Sequence, residues 1–144
     1  MKSLSDKLWV FLVALSFLIL AGCANTFSDL VRSKENGEGM SRVYKVNRDR
    51  AWEIAKRVSQ WEGIGEIEEN QSEGYMLIKS GADWYDKGTL MGVWIEPIDK
   101  DQSKVTVVTK AKRSTDTFRR LGEIDFHKSF ALFAEGPELG SEIK

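Results

Sequence analysis

Two side chains in this sequence occur once each and could carry chemistry alone: Cys23 and His127. Glu123 stands four positions before His127, and on a helix that spacing makes the two side chains neighbours. Such a pair could supply two metal ligands or an oriented general base. A zinc site needs three or four ligands, and the chain has no second histidine. A nucleophilic triad would need His127 beside a serine and a carboxylate. Ser114 and Ser129 are in the region, but neither sits in a G-x-S-x-G elbow. By helical phase His127 points away from the nearby phenylalanines, which predicts a solvated Glu–His pair. A hydrolase using His127 is therefore only the enzymatic alternative to a non-enzymatic reading. Glu66, Glu68 and Glu69 read as a solvated acidic strand face. Gly63-Ile64-Gly65 and Gly88-Thr89-Leu90-Met91-Gly92 lack the spacing and the lysine of a phosphate-cradling loop. No cofactor and no metal site is expected.

Cys23 is better placed. Before it lie the parts of an export signal: Lys2 and Lys7, the thirteen residues Leu8 to Leu20 with Ser16 as their one polar member, then small Ala21 and Gly22. An ordinary signal would end in an A-x-A pattern and release the chain; this one runs directly into a cysteine. The apolar run is short against the ~20 residues of a membrane span. A lone cysteine can also be just a small buried hydrophobe. Leu20-Ala21-Gly22-Cys23 resembles the lipobox of bacterial lipoproteins. That resemblance implies diacylglyceryl transfer to the Cys23 sulfur, cleavage between Gly22 and Cys23, and often acylation of the new amine. The partner is then membrane lipid. One acyl chain binds only marginally, at about 0.8 kcal/mol per buried methylene, whereas two or three on one residue hold permanently. Position 24 is Ala rather than Asp, which in enteric-type bacteria favours the outer membrane. The implied location is the cell envelope, on the extracytoplasmic side.

Removing residues 1–22 leaves 122, enough for one small domain. That portion has 19 basic and 21 acidic residues, so it lacks the basic excess of a nucleic-acid binder. With Cys23 lipidated no disulfide can form within the chain, and stability must come from an apolar core. Residues 23–39 are polar, with Gly37 and Gly39 near the end, and are expected to form a lipidated tether. From Ala24 to Gly39 such a tether could reach about 50 Å.

A single domain is expected over 40–136, with 137–144 as a tail. Ser41 to Val46 reads as a strand. Asn47 or Asp49 can cap a helix whose Ala51, Ile54, Ala55, Val58 and Trp61 share one face; Gly63 would stop it. Gly65 to Glu69 and Tyr75 to Ser80 flank a turn and form a hairpin. Thr89 to Glu96 and Lys104 to Lys112 form a second. In the last strand Val105, Val107, Thr109 and Ala111 alternate with Thr106, Val108, Lys110 and Lys112, which predicts one buried face. A final helix is expected from Phe118 to Glu135, apolar along Phe118, Leu121, Phe126, Phe130 and Phe133, and ended by Gly136-Pro137.

The expected fold is α+β: about five antiparallel strands with two helices packed on one face, in the order β-α-β-β-β-β-α. The outline is similar to helix-grip and TATA-binding-protein-like folds and to small uncharacterised bacterial lipoproteins, at the level of pattern over about residues 40–135. It carries no functional residues across. Two surfaces could make contacts. Trp84 and Tyr85 sit in a glycine-bounded loop, where rigid aromatics bury much area at little entropy cost. Lys110, Lys112, Arg113, Arg119 and Arg120 form a basic cluster suited to anionic headgroups or cell-wall polymers. The function these features favour is a non-enzymatic binding or structural module of the envelope, with an envelope protein as a candidate partner. The alternative is a carrier of an apolar small molecule or lipid, held between sheet and helices by Trp52, Trp61, Phe126 and Phe130.

Overall fold

The structure is a computed structural model and describes residues 26–61, 65–79, 89–111 and 116–136. The side chains of Trp61, Phe118, Arg119 and Leu121 lie outside that description, as do Gly63, Ser80 and Pro137. In chain order the elements are α1 (Phe27–Glu35), β1 (Met40–Tyr44), α2 (Arg48–Trp61), β2 (Glu66–Asn70), β3 (Tyr75–Lys79), β4 (Leu90–Pro97), β5 (Ser103–Lys110) and α3 (Asp116–Glu135). The five strands make one sheet in the order β1-β5-β4-β3-β2, every neighbouring pair antiparallel. The architecture is α+β.

Local chemistry accounts for the element ends. Asn47 caps α2: its side-chain oxygen accepts the Arg50 amide at 2.8 Å and its carbonyl accepts Ala51 N–H at 2.9 Å. Ala51, Ile54, Ala55 and Val58 then recur at helical spacing and are at most 1% exposed. In the β2–β3 turn Gly74 takes a left-handed φ of 78°, and its carbonyl accepts Ile95 N–H at 2.8 Å, so β3 stays joined to β4. Helix α2 carries the chain from β1 at one edge of the sheet to β2 at the other. The remaining strands follow as a meander.

The sheet has two buried clusters. Ala51, Trp52, Ile54 and Val58 of α2 and Phe126 and Phe130 of α3 share one with Met76, Ile78, Met91, Val93, Val105 and Val107. Leu30 of α1 shares the other with Tyr75, Leu77, Trp94 and Val108. These two sets alternate along β3, β4 and β5, so they occupy opposite faces. This corrects the expectation of a single buried face on the last strand: Thr106 and Val108 are 4% and 1% exposed, on the side expected to face solvent.

The cause is α1, which is also the main departure from the expected tether over 23–39. The part from Thr26 onward is folded. Asp29 accepts both the amide and the hydroxyl of Thr26 at 2.9 Å, organising the first turn. Those bonds hold the Asp29 carboxyl below the usual carboxylate range. At the other end Gly37, at φ 76°, donates to the Lys34 carbonyl and Glu38 N–H to the Ser33 carbonyl, a Schellman stop. Phe27, Leu30 and Val31 form a short apolar stripe. Leu30 is fully buried, and Phe27 stacks on Tyr75 with ring centroids 4.7 Å apart. Lys34 lies over the Trp94 ring at 5.5 Å and pairs with Glu96 at 3.2 Å. Burial pushes the Glu96 carboxyl up, but Lys104 at 3.1 Å and Lys34 outweigh it and hold it below its ordinary value. A nine-residue helix is marginal alone. Burying Leu30, worth roughly 1.5–3 kcal/mol, together with these side-chain contacts fixes it to the sheet. The folded unit therefore includes α1 and is not confined to residues from 40 onward.

Candidate functional site

His127 and Glu123 sit on α3 within its buried face. Glu123, Phe126, His127, Phe130 and Ala134 fall at i, i+3, i+4, i+7 and i+11, which is one side of a helix. His127 is 0% exposed and Glu123 6%. The expectation of a solvated pair is thus corrected: both are interior groups, each satisfied by a different strand.

For His127 the partners lie around β1. Its Nε2 is 3.0 Å from the Met40 carbonyl, and since a carbonyl only accepts, Nε2 carries the proton. Its Nδ1 is 2.8 Å from the Tyr44 hydroxyl, which also lies 3.1 Å from the His127 carbonyl. With Nε2 protonated in the neutral ring, Nδ1 accepts from Tyr44. Burial lowers the His127 pKa, the bond to Met40 opposes this, and nearby Arg42 lowers it further. Burial likewise raises Tyr44. Both groups are held neutral. Both imidazole nitrogens are occupied, so neither can serve a serine or a substrate. Ser129 lies on α3, and Ser114 is outside the described residues. Among the described residues no group of three or more His, Cys, Asp or Glu side chains could hold a metal ion.

Glu123 does different work. Strand β1 pairs with β5 only as far as Met40–Val107, so among the described residues β5 beyond Val107 has no strand partner on that side. An exposed edge is a template for unwanted pairing. Glu123 Oε1 accepts the Thr109 amide at 2.9 Å, standing where a neighbouring strand's carbonyl would be. Beside it opens a cleft of about 560 Å³ lined by Glu38, Gly39, Val108, Thr109, Lys110, Arg120 and Glu123. Lys110 pairs with Glu38 at 2.8 Å across its rim. The Thr109 hydroxyl is buried without a hydrogen-bond partner among the described residues. The lining is polar and of mixed charge, which suits contact with a polar group rather than an apolar guest. Periodicity shows the β5 strand but not that β1 stops short of its end, so this cleft had no sequence signal beyond the helical phase of Glu123.

The other expected sites divide as follows. Of the basic cluster, Lys110 is engaged by Glu38 and Arg120 is exposed, while Lys112, Arg113 and the Arg119 side chain lie outside the described residues. So do Trp84, Tyr85, Gly22 and Cys23. Glu66 and Glu68 face Lys79 at 3.8 and 3.6 Å. Glu69 points to the opposite face, accepts the Trp52 indole N–H at 2.9 Å and pairs with Lys56 at 3.2 Å. The bond from Trp52, the largest influence, is opposed by desolvation, and with the help of Lys56 it holds the carboxyl below its ordinary value.

No protein-family model and no curated protein matches the chain. Among solved structures it is similar to an uncharacterized protein from Bacillus thuringiensis, with 9% identity and a TM-score of 0.49, over 67% of this chain and 94% of that one. It is also similar to protein XoxI from Bacillus cereus, with 11% identity and a TM-score of 0.48 over the same shares. Each is a partial likeness of shape.

Proposed function

We propose that this chain is a lipid-anchored lipoprotein of the bacterial cell envelope that acts as a non-enzymatic binding or structural module. The observation that carries the reading is Leu20-Ala21-Gly22-Cys23 at the end of a thirteen-residue apolar run. Acylated Cys23 is the attachment point, Gly22–Cys23 the cleavage site, and the outer membrane the destination in a Gram-negative cell. In the finer fold reading α2 and α3 lie side by side on one face of the sheet and α1 covers the other. The occupied nitrogens of His127 favour a non-enzymatic role. Trp52, Phe126 and Phe130, which a carrier would need around its guest, are at most 1% exposed and packed into the core. That favours a contact module over carriage.

Metabolic labelling with an alkyne fatty acid tests the anchor. The natural chain should take up label and partition into the detergent phase, and Cys23→Ser should do neither. An unlabelled natural chain would overturn the reading. Cross-linking in intact envelopes followed by pull-down tests the module. Recovery of no envelope component above background would count against it.

A further inference from the structure

Resting on that lipoprotein reading, we infer that the protein is seated with the start of α1 at the headgroup layer of the bilayer and the outer surface of α2 held away from it. The argument is one of reach. Three residue steps separate Cys23 from Thr26, the first described residue. They extend no further than about 10 Å. The start of α1 is held to β3 by the Phe27–Tyr75 stack, and its middle by Leu30. The start of α1 is therefore fixed to the domain, and Cys23 lies within that reach of it.

The thickness of the molecule then rules out the opposite seating. Packed layers lie about 10 Å apart, so α1 and α2, on opposite faces of the sheet, are separated by about 20 Å. With a side-chain radius of about 5 Å for each helix, the outer surface of α2 stands some 25 Å from the axis of α1. A link of about 10 Å cannot bring that surface to the membrane. The outward side of α1 carries Thr26, Ser28, Arg32 and Glu35, all exposed. These are polar, so contact is at headgroup level and not in the hydrocarbon.

The test uses the full acylated protein in phosphatidylethanolamine–phosphatidylglycerol vesicles containing a lipid spin-labelled on its headgroup. Ser28→Cys on α1 and Arg57→Cys on α2 each provide a single free thiol for a fluorophore, because the Cys23 sulfur is then a thioether. Quenching should be several-fold stronger at position 28 than at 57. An insert of about twelve Gly/Ser residues between Ala24 and Asn25, averaging about 20 Å end to end, should abolish the difference. Equal quenching at both positions of an acylated chain overturns the seating alone. A difference that survives the insert overturns reach as its cause. A chain found unacylated by detergent partitioning overturns both the anchor and the seating.

Discussion

At the scale of single residues, His127 has a role set by partners far away in sequence, and Gly92 one set by the ring two positions on. Burial keeps His127 below its ordinary pKa of 6.5. In the unfolded chain it takes up a proton near that value, so just below it the unfolded state binds more protons. Stability from this group is full above about pH 6.5 and falls as pH drops below it. Chemical denaturation between about pH 7.5 and 5 should show that decline. His127→Phe should flatten it while costing about 1–3 kcal/mol at neutral pH, because the Met40 carbonyl loses its donor. An unchanged slope in the variant would place the titration elsewhere. Gly92 lies beneath the Trp94 ring, and a Cβ there would come within 2.5 Å of it. Gly92→Ala should displace the indole and disturb the seat of Lys34, with a loss of about 1–3 kcal/mol readable by calorimetry.

At the scale of elements, the edge of β5 and the helix α1 carry the argument. Glu123→Ala removes the acceptor from the Thr109 amide and uncovers the open stretch of β5. The expected result is a loss of about 1–3 kcal/mol and a concentration-dependent tendency to self-associate, measured by denaturation and sedimentation. Glu123→Gln, which keeps an acceptor oxygen, should restore most of the stability. α2 could be read from its spacing and its cap because both lie within a few residues. Its Asn47 cap and Ala51–Val58 stripe are where the spacing puts them. α1 carried the same kinds of signal, a first turn at Thr26–Asp29 and a stop at Gly37, but only three apolar residues. Nothing local showed that a second sheet face was waiting to be covered.

At the scale of the whole molecule, the fold has one sheet buried on two sides, and its boundary follows from that. A chain beginning at Thr26 should unfold cooperatively. One beginning at Met40 should melt lower and aggregate, because Tyr75, Leu77, Trp94 and Val108 lose their cover. Thermal scans of the two would decide, and equal midpoints would make α1 dispensable. By itself the sequence determined the α+β class, the strands and their hairpins, and α2 and the span of α3, since all of these rest on periodicity and turn chemistry within a few residues. The lipobox proposal rests on sequence alone. Only the tertiary structure decided that α1 docks, that His127 and Glu123 are interior, and that β5 outruns β1 to leave a polar cleft. Each of those depends on partners 14 to 87 positions away, and no local pattern encodes which distant surface will be there to meet a short helix, an imidazole or a strand edge.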